Sequence, residues 1–381
     1  MKPFYYSLKI LTIFTISIIF SLHVFSQENE RNQAVLAKLV AQNNIPSLNF
    51  SIIYENGEQF NYSSGFADTL NKVALNPKHV LFSGSVGKTY AVAVLMQLVD
   101  EGKVDLSKPI LDYFPNHEWL TNLPNIEDIT IEMLLTHTSG LPRYINDPNV
   151  WKSVLENPDK VWCYKDRLSY AFNMEPLHEP GKGWGYSDTN YLLIGMLIEK
   201  ITGSDYYDEV AERILKPGKL EHTYPSLRRD IPNLPVGYCA LGEPFNLPGE
   251  TVVDGIYIFN PQMEWTGGGF ASTTPDLAKW AKMYYEGQFF SEKMLQKIVS
   301  PTEHGSDIAD GFSCGMGSFI YETEIGVAYG HTGLFPGFNT IFAYFPEQKI
   351  AVAMQTNCDY PRKDMRLIEY VLFIMNNFVN K

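Results

Sequence analysis

The chain has 381 residues, of which 45% are hydrophobic and 19% are charged, and its formal net charge is −13. This length and apolar content suffice for a large buried core. The acidic balance argues against nucleic acid and against anionic membrane surfaces as partners, because both repel a negatively charged protein.

The first 26 residues are typical of an export leader. Lys2 and Lys9 form a positive start, Ile10–Phe25 is almost uninterrupted apolar sequence, and "VFS" before Gln27 supplies small residues around a cleavage site. We therefore predict a signal peptide over residues 1–26 and a secreted or periplasmic mature protein. The apolar run is short for a membrane span, which needs about 20 residues. An uncleaved leader is the alternative, and it would be the protein's only contact with a membrane.

Strand patterns lie at both ends of the remaining chain. An opening helix is predicted over Asn29–Ile45, followed by two strands around the hairpin signal Asn56–Gly57. Strands return near Trp265, in "GFASTT", "CGMGSFIYE", "IGVAYGHTG" and "GFNTIFAYFPEQKIAVAMQTN", the last with a hairpin across Pro346–Gln348. A closing helix, "MRLIEYVLFIMNNFVN", is apolar enough to resemble a membrane helix, but we expect it to be buried against a sheet.

Helix patterns dominate the middle of the chain. Apolar residues recur at three- and four-residue spacing from Thr89 to a stop at Gly102, and another helix is predicted over Asn190–Gly203. This order predicts an α+β fold: one antiparallel sheet built from both ends, flanked by the terminal helices, with a mainly helical lobe inserted. We place the sheet lobe at 27–82 and 265–381 and the helical lobe at 83–264, within a single catalytic domain over 27–381. A ligand cleft is expected between the lobes.

The cysteines and histidines show no metal-binding spacing. The chain has no C-x-x-C, H-E-x-x-H or H-x-H pattern, so we expect no catalytic metal. Export would permit disulfides, but four cysteines allow three pairings and buried free thiols fit equally well. The four cysteines are Cys163, Cys239, Cys314 and Cys358.

A serine lies one helical turn before a lysine at the start of the first predicted inner helix. Ser85 and Lys88 are three residues apart, so on a helix they share one face. A serine hydroxyl is a weak nucleophile, and a neighbouring lysine of lowered pKa can act as its base. The helix N-terminus adds a partial positive charge beside the nucleophile. A surface lysine after an N-cap serine is the alternative that this pair alone leaves open.

Two later segments carry further candidates. "GWGYSDTNYLLIG" places Tyr186 and Asp188 before a predicted helix, and a tyrosine beside a lysine could relay a proton to a leaving group. "YGHTGLFPGFN" places His331 in a strand, where it could bind a substrate carboxylate if protonated or donate a hydrogen bond. Gly333 would let a ligand backbone approach closely. Each segment alone is more typical of packing or of a structural turn.

Together these motifs resemble the serine penicillin-recognising superfamily, which includes class C β-lactamases, D-alanyl-D-alanine carboxypeptidases and related esterases. S-x-x-K is followed about a hundred residues later by Y-S-[ND], and near the C-terminus by [KH]-T-G. Four longer segments are also similar to the family: "HVLFSGSVGKTYAVAVLMQLVDEGKVDLSKPILDYFP", "ITIEMLLTHTSGLP", "GWGYSDTNYLLIGMLIEKITG" and "GGGFASTTPDLAKWAKM". The resemblance implies a β-lactamase/transpeptidase-like fold over nearly the whole mature chain.

The resemblance also implies roles for the matched residues. Ser85 would be the acylated nucleophile, Lys88 its proton acceptor, and Tyr186 the partner general base and acid that activates water for deacylation. No cofactor is implied.

The third motif would bind the substrate. The resemblance implies that His331, Thr332 and Gly333 form a strand that pairs with it. The backbone N–H groups of Ser85 and Leu334 would form the oxyanion hole, a device that commonly contributes several kcal/mol to the transition state.

The chain departs from the family pattern at two positions. Asp188 replaces the usual Asn, and its charge should raise the pKa of Lys88 and favour a cationic substrate group or repel a carboxylate. Asn190 is a candidate for supplying the missing amide. His331 replaces the Lys of class C β-lactamases, which favours the carboxypeptidases and esterases over an efficient β-lactamase.

These observations predict an exported serine hydrolase, most similar to a D-alanyl-D-alanine carboxypeptidase. The alternatives are an esterase or class C-like β-lactamase, and a penicillin-binding or sensing module of low turnover. The substrate would be a peptidoglycan-like peptide, an ester or a β-lactam. The segment Gly311–Gly315 also fits G-x-S-x-G, but a strand-like sequence follows where an α/β-hydrolase needs a helix, so we reject that fold.

Overall fold

The computed structural model of the protein describes residues 29–306, 308–360 and 366–378. The predicted leader, residues 1–26, and its cleavage site lie outside the described residues and stay predictions.

The described strands form one large sheet and two small ones. In chain order they are β1 (Ser47–Ile53), β2 (Gln59–Asp68), β3 (Val73–Ala74), β4 (Leu81–Phe82), β5 (Thr223–Pro225), β6 (Val252–Val253), β7 (Ile256–Tyr257), β8 (Phe270–Ser272), β9 (Phe312–Cys314), β10 (Phe319–Thr323), β11 (Gly326–Phe335), β12 (Phe338–Phe345) and β13 (Ile350–Thr356). The large sheet is antiparallel and has the order β3-β2-β1-β13-β12-β11-β10-β9. Its centre therefore joins the two ends of the chain, through the pairing of β1 with β13, as the sequence predicted.

Most of the described helices lie in the middle of the chain, between the two groups of strands that form the large sheet. The helices are α1 (residues 29–43), α2 (Lys88–Asp100), α3 (Ile131–Leu135), α4 (Pro148–Glu156), α5 (Tyr164–Ser169), α6 (Asp188–Thr202), α7 (Tyr206–Val210), α8 (Lys216–Gly218), α9 (Thr274–Tyr285), α10 (Glu292–Val299) and α11 (Leu367–Asn377). A π-helical turn over Ala211–Leu215 joins α7 to α8. The two predicted inner helices are present as α2 and α6, and Gly203 ends α6 at a φ of 73°. The predicted lobe boundaries, 27–82, 83–264 and 265–381, stay predictions.

Helices cover both faces of the large sheet. On one face, Leu36 of α1 and Ile374 of α11 pack with Phe50 of β1 in a buried apolar cluster. On the other face, the Ser51 hydroxyl of β1 meets the Thr274 hydroxyl of α9 at 2.9 Å. The closing helix is therefore buried against the sheet, as expected. None of the helices in the described part of the chain combines the length and hydropathy that crossing a bilayer requires.

The second core lies around α2 and α6. Most of α2 is buried, including its first residue, Lys88. Fully burying a Val, Leu or Met side chain contributes roughly 1.5–3 kcal/mol each, so Val94, Leu95 and Leu98 hold this helix firmly in place. The nucleophile candidate, Ser85, lies in the turn that leads into this helix.

The rejected hydrolase motif has the geometry of a sheet edge. Ser313 lies within β9 and is paired with Ile320 of β10, and the next element after β9 is that strand rather than a helix. The four cysteines are free thiols, and three of them are buried, while Cys163 is exposed.

Candidate active site

Ser85 lies in a tight turn between a strand and a helix. A 3₁₀ turn over Gly84–Gly87 follows β4 and leads directly into α2, so the half-buried Ser85 side chain stands at the helix N-terminus. Gly84 has a φ of 49°, and a Cβ there would lie 2.7 Å from the backbone nitrogen of Leu334. Only glycine fits this conformation and this close approach without strain. The turn is thereby held against β11.

Lys88 donates to three acceptors from a fully buried position. Its Nζ lies 3.0 Å from the Ser85 hydroxyl oxygen and 2.7 Å from Asp188 Oδ1, and it also donates to the Gly267 carbonyl. The side chain is 0% exposed. An ammonium group has three N–H donors, so these contacts match the protonated form of Lys88.

Asp188 opens α6 and is shared between two cations. Its Oδ1 accepts from Lys88, and its Oδ2 accepts from Arg143 Nε at 3.0 Å and from Arg143 Nη2 at 2.7 Å. The Asp188 side chain is 9% exposed, whereas that of Arg143 is 34% exposed. The sequence alone did not indicate Arg143. Arg143 belongs to no motif that the sequence analysis used, and it lies 45 residues before Asp188.

The ion pairs set the protonation of this cluster. Burial raises the pKa of Asp188, but the charges of Lys88 and Arg143 outweigh it and hold that pKa well below its usual range. Burial lowers the pKa of Lys88, but the charge of Asp188 outweighs this, so the pKa lies above its ordinary value. The resting site therefore contains an ionised carboxylate and an ammonium, and Lys88 is not a free base at neutral pH.

The Tyr186 ring lies against the Lys88 ammonium on one side and packs at a tilt against a histidine. Its ring centroid is 5.0 Å from Lys88 Nζ and 4.3 Å from the ring centroid of His137. Its hydroxyl is buried and makes no hydrogen bond of normal geometry, yet it lies close enough to Lys88 and Ser85 for both to affect its pKa. Burial raises that pKa above its ordinary value, and the ammonium of Lys88 only partly opposes it. Tyr186 is thus a neutral phenol beside the nucleophile.

Strand β11 passes directly along the turn that carries Ser85. A Cβ on Gly333 would lie 1.9 Å from the Ser83 carbonyl oxygen and 3.1 Å from the Ser85 nitrogen. The neighbouring Leu334 nitrogen lies on the same side, against Gly84. The predicted oxyanion-hole donors, the N–H groups of Ser85 and Leu334, are therefore brought to one place.

The match to known proteins covers nearly the same residues as this fold. Residues 32–374 match the family model described as Beta-lactamase. The chain belongs to the β-lactamase family. Members of this family are serine hydrolases.

Individual members of the β-lactamase family are distant in sequence. Penicillin-binding protein 4* of Bacillus subtilis strain 168 is 25% identical over 334 residues, which cover 82% of this chain and 69% of that protein. The Beta-lactamase of Escherichia coli K12 is 24% identical over 371 residues, 88% of this chain and 90% of that protein.

Solved structures confirm the predicted fold. A D-stereospecific amidohydrolase from Streptomyces sp. has a TM-score of 0.77 at 24% identity and covers 92% of this chain and 98% of its own. The D-amino acid amidase from Ochrobactrum anthropi SV3, complexed with D-phenylalanine, has a TM-score of 0.78 at 24% identity with the same coverage. At this identity the likeness shows the β-lactamase/transpeptidase-like fold.

The Asn190 amide, a candidate for the amide that the family motif lacks here, is bonded within the protein. Its side chain is fully buried, accepts from the Ser139 hydroxyl at 2.6 Å, and donates to His137 Nδ1 at 3.2 Å. The Ser187 N–H also donates to that nitrogen, so the His137 proton resides on Nε2. Both ends of this amide hold the loop that supports Tyr186, and the hypothesis that Asn190 contacts substrate stays a prediction.

His331 is not a cationic substrate ligand. It is 1% exposed, donates from Nδ1 to the Thr332 carbonyl at 2.6 Å, and stacks on Phe319 with ring centroids 4.2 Å apart. Burial and the nearby charge of Lys88 lower the pKa of His331 to about 3. The sequence left open two roles for His331, a protonated carboxylate ligand or a hydrogen-bond donor. The low pKa argues against the first, and the role of His331 in binding substrate stays a prediction. The imidazole remains neutral, and its Nδ1 proton is already donated to the backbone.

A second residue that sequence reasoning missed is a buried acid whose charge interacts with that of Lys88. Glu264 accepts the Gly269 N–H at 2.9 Å, and burial raises the pKa of its carboxyl to about 7. It precedes the Gly267 carbonyl that accepts from Lys88. In the described part of the chain, no cluster of three or more His, Cys, Asp or Glu is arranged to hold a metal ion.

Proposed function

We propose that this member of the β-lactamase family is an exported serine hydrolase that forms an acyl-enzyme on Ser85. Its substrate would be an amide of the D-alanyl-D-alanine peptide class, as in a D-alanyl-D-alanine carboxypeptidase. The observation that carries the proposal is the convergence of the Ser85 hydroxyl, the Lys88 ammonium at 3.0 Å, the Tyr186 phenol and the two backbone N–H groups.

The geometry supports a two-step reaction. One proton first leaves the Lys88–Tyr186 pair, and the pair then takes the Ser85 proton while Ser85 Oγ attacks the substrate carbonyl carbon. The N–H groups of Ser85 and Leu334 hold the resulting oxyanion. The C–N bond breaks as the leaving amine takes a proton from Tyr186. In the second step the pair takes a proton from water while the water oxygen attacks the acyl carbon, and the C–O bond to Ser85 breaks as Ser85 Oγ regains a proton from the pair.

Two observations favour an amidase over an efficient β-lactamase. His331 is neutral and buried where class C β-lactamases have a lysine, so the third motif lacks a cation for the lactam carboxylate. The fold neighbours include proteins named D-amino acid amidase and D-stereospecific amidohydrolase. An esterase or class C-like β-lactamase, and a penicillin-binding module of low turnover, use the same Ser85 and differ in deacylation.

An intact-mass time course of the protein with a penicillin tests the acyl-enzyme. We expect a lasting adduct on the wild type and none on S85A, with D-alanine released from N-acetyl-D-alanyl-D-alanine by the wild type alone. A lasting adduct without D-alanine release indicates the low-turnover module. Drug consumed without an adduct indicates a β-lactamase, and drug untouched indicates an esterase or another amidase.

Export is the remaining part of the proposal. N-terminal sequencing of the protein from the culture medium or periplasm should begin at Gln27. A protein that retains Met1 in a membrane fraction would instead indicate the uncleaved leader.

A further inference from the structure

Arg143 has hydrogen-bonding capacity left over in the cleft. Its Nε and Nη2 both donate to Asp188 Oδ2, which fixes the plane of the guanidinium group. Among the described residues, no hydrogen bond acceptor is bonded to its Nη1. The side chain is 34% exposed, and its Cζ lies 5.3 Å from the ring centroid of Tyr186. A rigidly held, partly exposed cation thus stands beside the proposed proton-transfer residue.

The charge balance of the site leaves one positive charge uncompensated. Asp188 carries one negative charge, and both Lys88 and Arg143 are bonded to it. Glu264 adds only a partial negative charge near neutral pH, because the pKa of its carboxyl is about 7. From the sequence, Asp188 was expected to favour a cationic substrate group or to repel a carboxylate. Two cations bonded to Asp188 would instead favour a carboxylate.

Strand β11 cannot provide the same charge. Its residues, Gly326–Phe335, include no lysine or arginine, and His331 is buried and bonded to the backbone. A substrate anion in the cleft would therefore find its cation on the side of α6 rather than on β11.

We propose that Arg143 binds a carboxylate of the substrate through Nη1 while Asp188 holds its other two donors. This proposal rests on the proposed acyl-enzyme function and makes that function specific for substrates with a carboxylate near the scissile amide. The carboxylate could belong to the leaving part, as in a free peptide C-terminus, or to the acyl part.

Two pairs of compounds test this recognition. N-acetyl-D-alanyl-D-alanine and its C-terminal amide differ by a carboxylate in the leaving part. N-succinyl-D-alanine p-nitroanilide and N-acetyl-D-alanine p-nitroanilide differ by a carboxylate in the acyl part. kcat/KM is measured for all four with wild type, R143Q and R143K.

The control variant is R228Q. Arg228 forms the same kind of arginine–aspartate pair, with Asp230, on the exposed surface, so R228Q makes the same charge change outside the cleft. S85A defines the background.

The ratio within each pair separates recognition from structure. Loss of the Asp188 contact would change kcat/KM alike for both compounds of a pair. Loss of a contact to the substrate carboxylate would lower kcat/KM only for the anionic compound. We expect R143Q to reduce the anionic-to-neutral ratio of one pair by about 10- to 100-fold, the range for a hydrogen bond to a charged group. R143K should retain part of the preference, and R228Q all of it. The pair that changes shows which part of the substrate carries the carboxylate.

Two results would overturn the proposal, and they are distinguishable. Unchanged ratios for both pairs in R143Q, with turnover above S85A, would exclude Arg143 as the carboxylate ligand and leave the proposed function intact. Turnover of all four compounds by wild type no faster than by S85A would contradict the amidase function itself, and the recognition proposal with it.

Discussion

The two walls of the cleft differ in how they hold charge. The charged wall is formed by Lys88 of α2, Asp188 of α6 and Arg143 of a loop, and its side chains are joined by hydrogen bonds of 2.7–3.0 Å. The β11 wall, residues 331–334, contributes backbone groups and the neutral His331. Both walls contact the short turn that carries Ser85.

The two walls differ in charge because their buried titratable groups have different hydrogen-bond partners, not because they differ in burial. Lys88 and His331 are both buried almost completely, at 0% and 1% exposure. Lys88 has a carboxylate at 2.7 Å, whereas His331 has a backbone carbonyl and the face of Phe319. Removing a charge from water is unfavourable unless an opposite charge replaces the solvent. The lysine therefore stays ionised, and the imidazole loses its proton.

A side-chain atom inserted between the β11 wall and the turn that carries Ser85 should have the largest effect. In G333A the new Cβ would lie 1.9 Å from the Ser83 carbonyl oxygen, so the strand and the turn must separate. Overpacking of this kind typically costs about 1–3 kcal/mol of stability. A displacement of about 1 Å at a reacting group can reduce the rate about 100-fold. We expect both losses, measured by thermal unfolding and by the rate of penicillin adduct formation.

G249A is the matched control for G333A. A Cβ on Gly249 would meet no atom within 4 Å. G249A should keep wild-type stability and acylation. Wild-type acylation in G333A would show that β11 does not hold the oxyanion hole against Ser85.

Removing the charge of Asp188 should have an intermediate effect, visible in the pH dependence. Asp188 raises the pKa of Lys88, and the Asn of D188N keeps an oxygen acceptor without the charge. Because acylation requires the Lys88–Tyr186 pair to lose a proton, the rise of the acylation rate with pH should move to lower pH in D188N. The rate of penicillin adduct formation is measured against pH for both proteins.

D230N serves as the control, since Asp230 pairs with Arg228 on the exposed surface. It should leave the pH dependence unchanged. If the acylation rate rose at the same pH in D188N and in wild type, the protonation of the Lys88–Tyr186 pair would not limit acylation. Faster consumption of the β-lactam by D188N would indicate that the aspartate disfavours lactams.

Much of the fold was predictable because its signals are local. Asn56–Gly57 marks the β1–β2 hairpin, and Gly57 has a φ of 85° as such a turn requires. The apolar periodicity of α2 and α6 located both helices to within a few residues. Two-residue strands such as β4 and β6 carry no periodicity, and the sequence did not predict them. Their existence depends on pairing with distant segments.

The site was predictable where its contacts are short-range or are part of a motif. Ser85 and Lys88 are one turn apart, and their hydrogen bond is a property of that turn. Arg143 lies 45 residues before Asp188, on a loop whose path the sequence does not reveal. Asn190, two residues after Asp188, was a candidate for the amide that the motif lacks. In α6, however, that spacing turns a side chain away from its neighbour, toward His137.

The smallest expected effect concerns which group titrates near neutral pH. The pKa of His331 is about 3, so it should stay neutral from pH 5 to 8, and H331N should keep the shape of the wild-type pH–rate profile in that range. Glu264 has a pKa of about 7, and its ionisation places a negative charge near Lys88. That charge favours the ammonium form, so ionised Glu264 should slow acylation by less than about tenfold, or less than about 1.4 kcal/mol. The pH–rate profile of the wild type should therefore show an inflection near pH 7. E264Q should remove it, because Gln keeps an acceptor for the Gly269 N–H without the charge. An inflection lost in H331N but kept in E264Q would show that the β11 wall carries a titrating charge, and that the contrast between the two walls is incorrect.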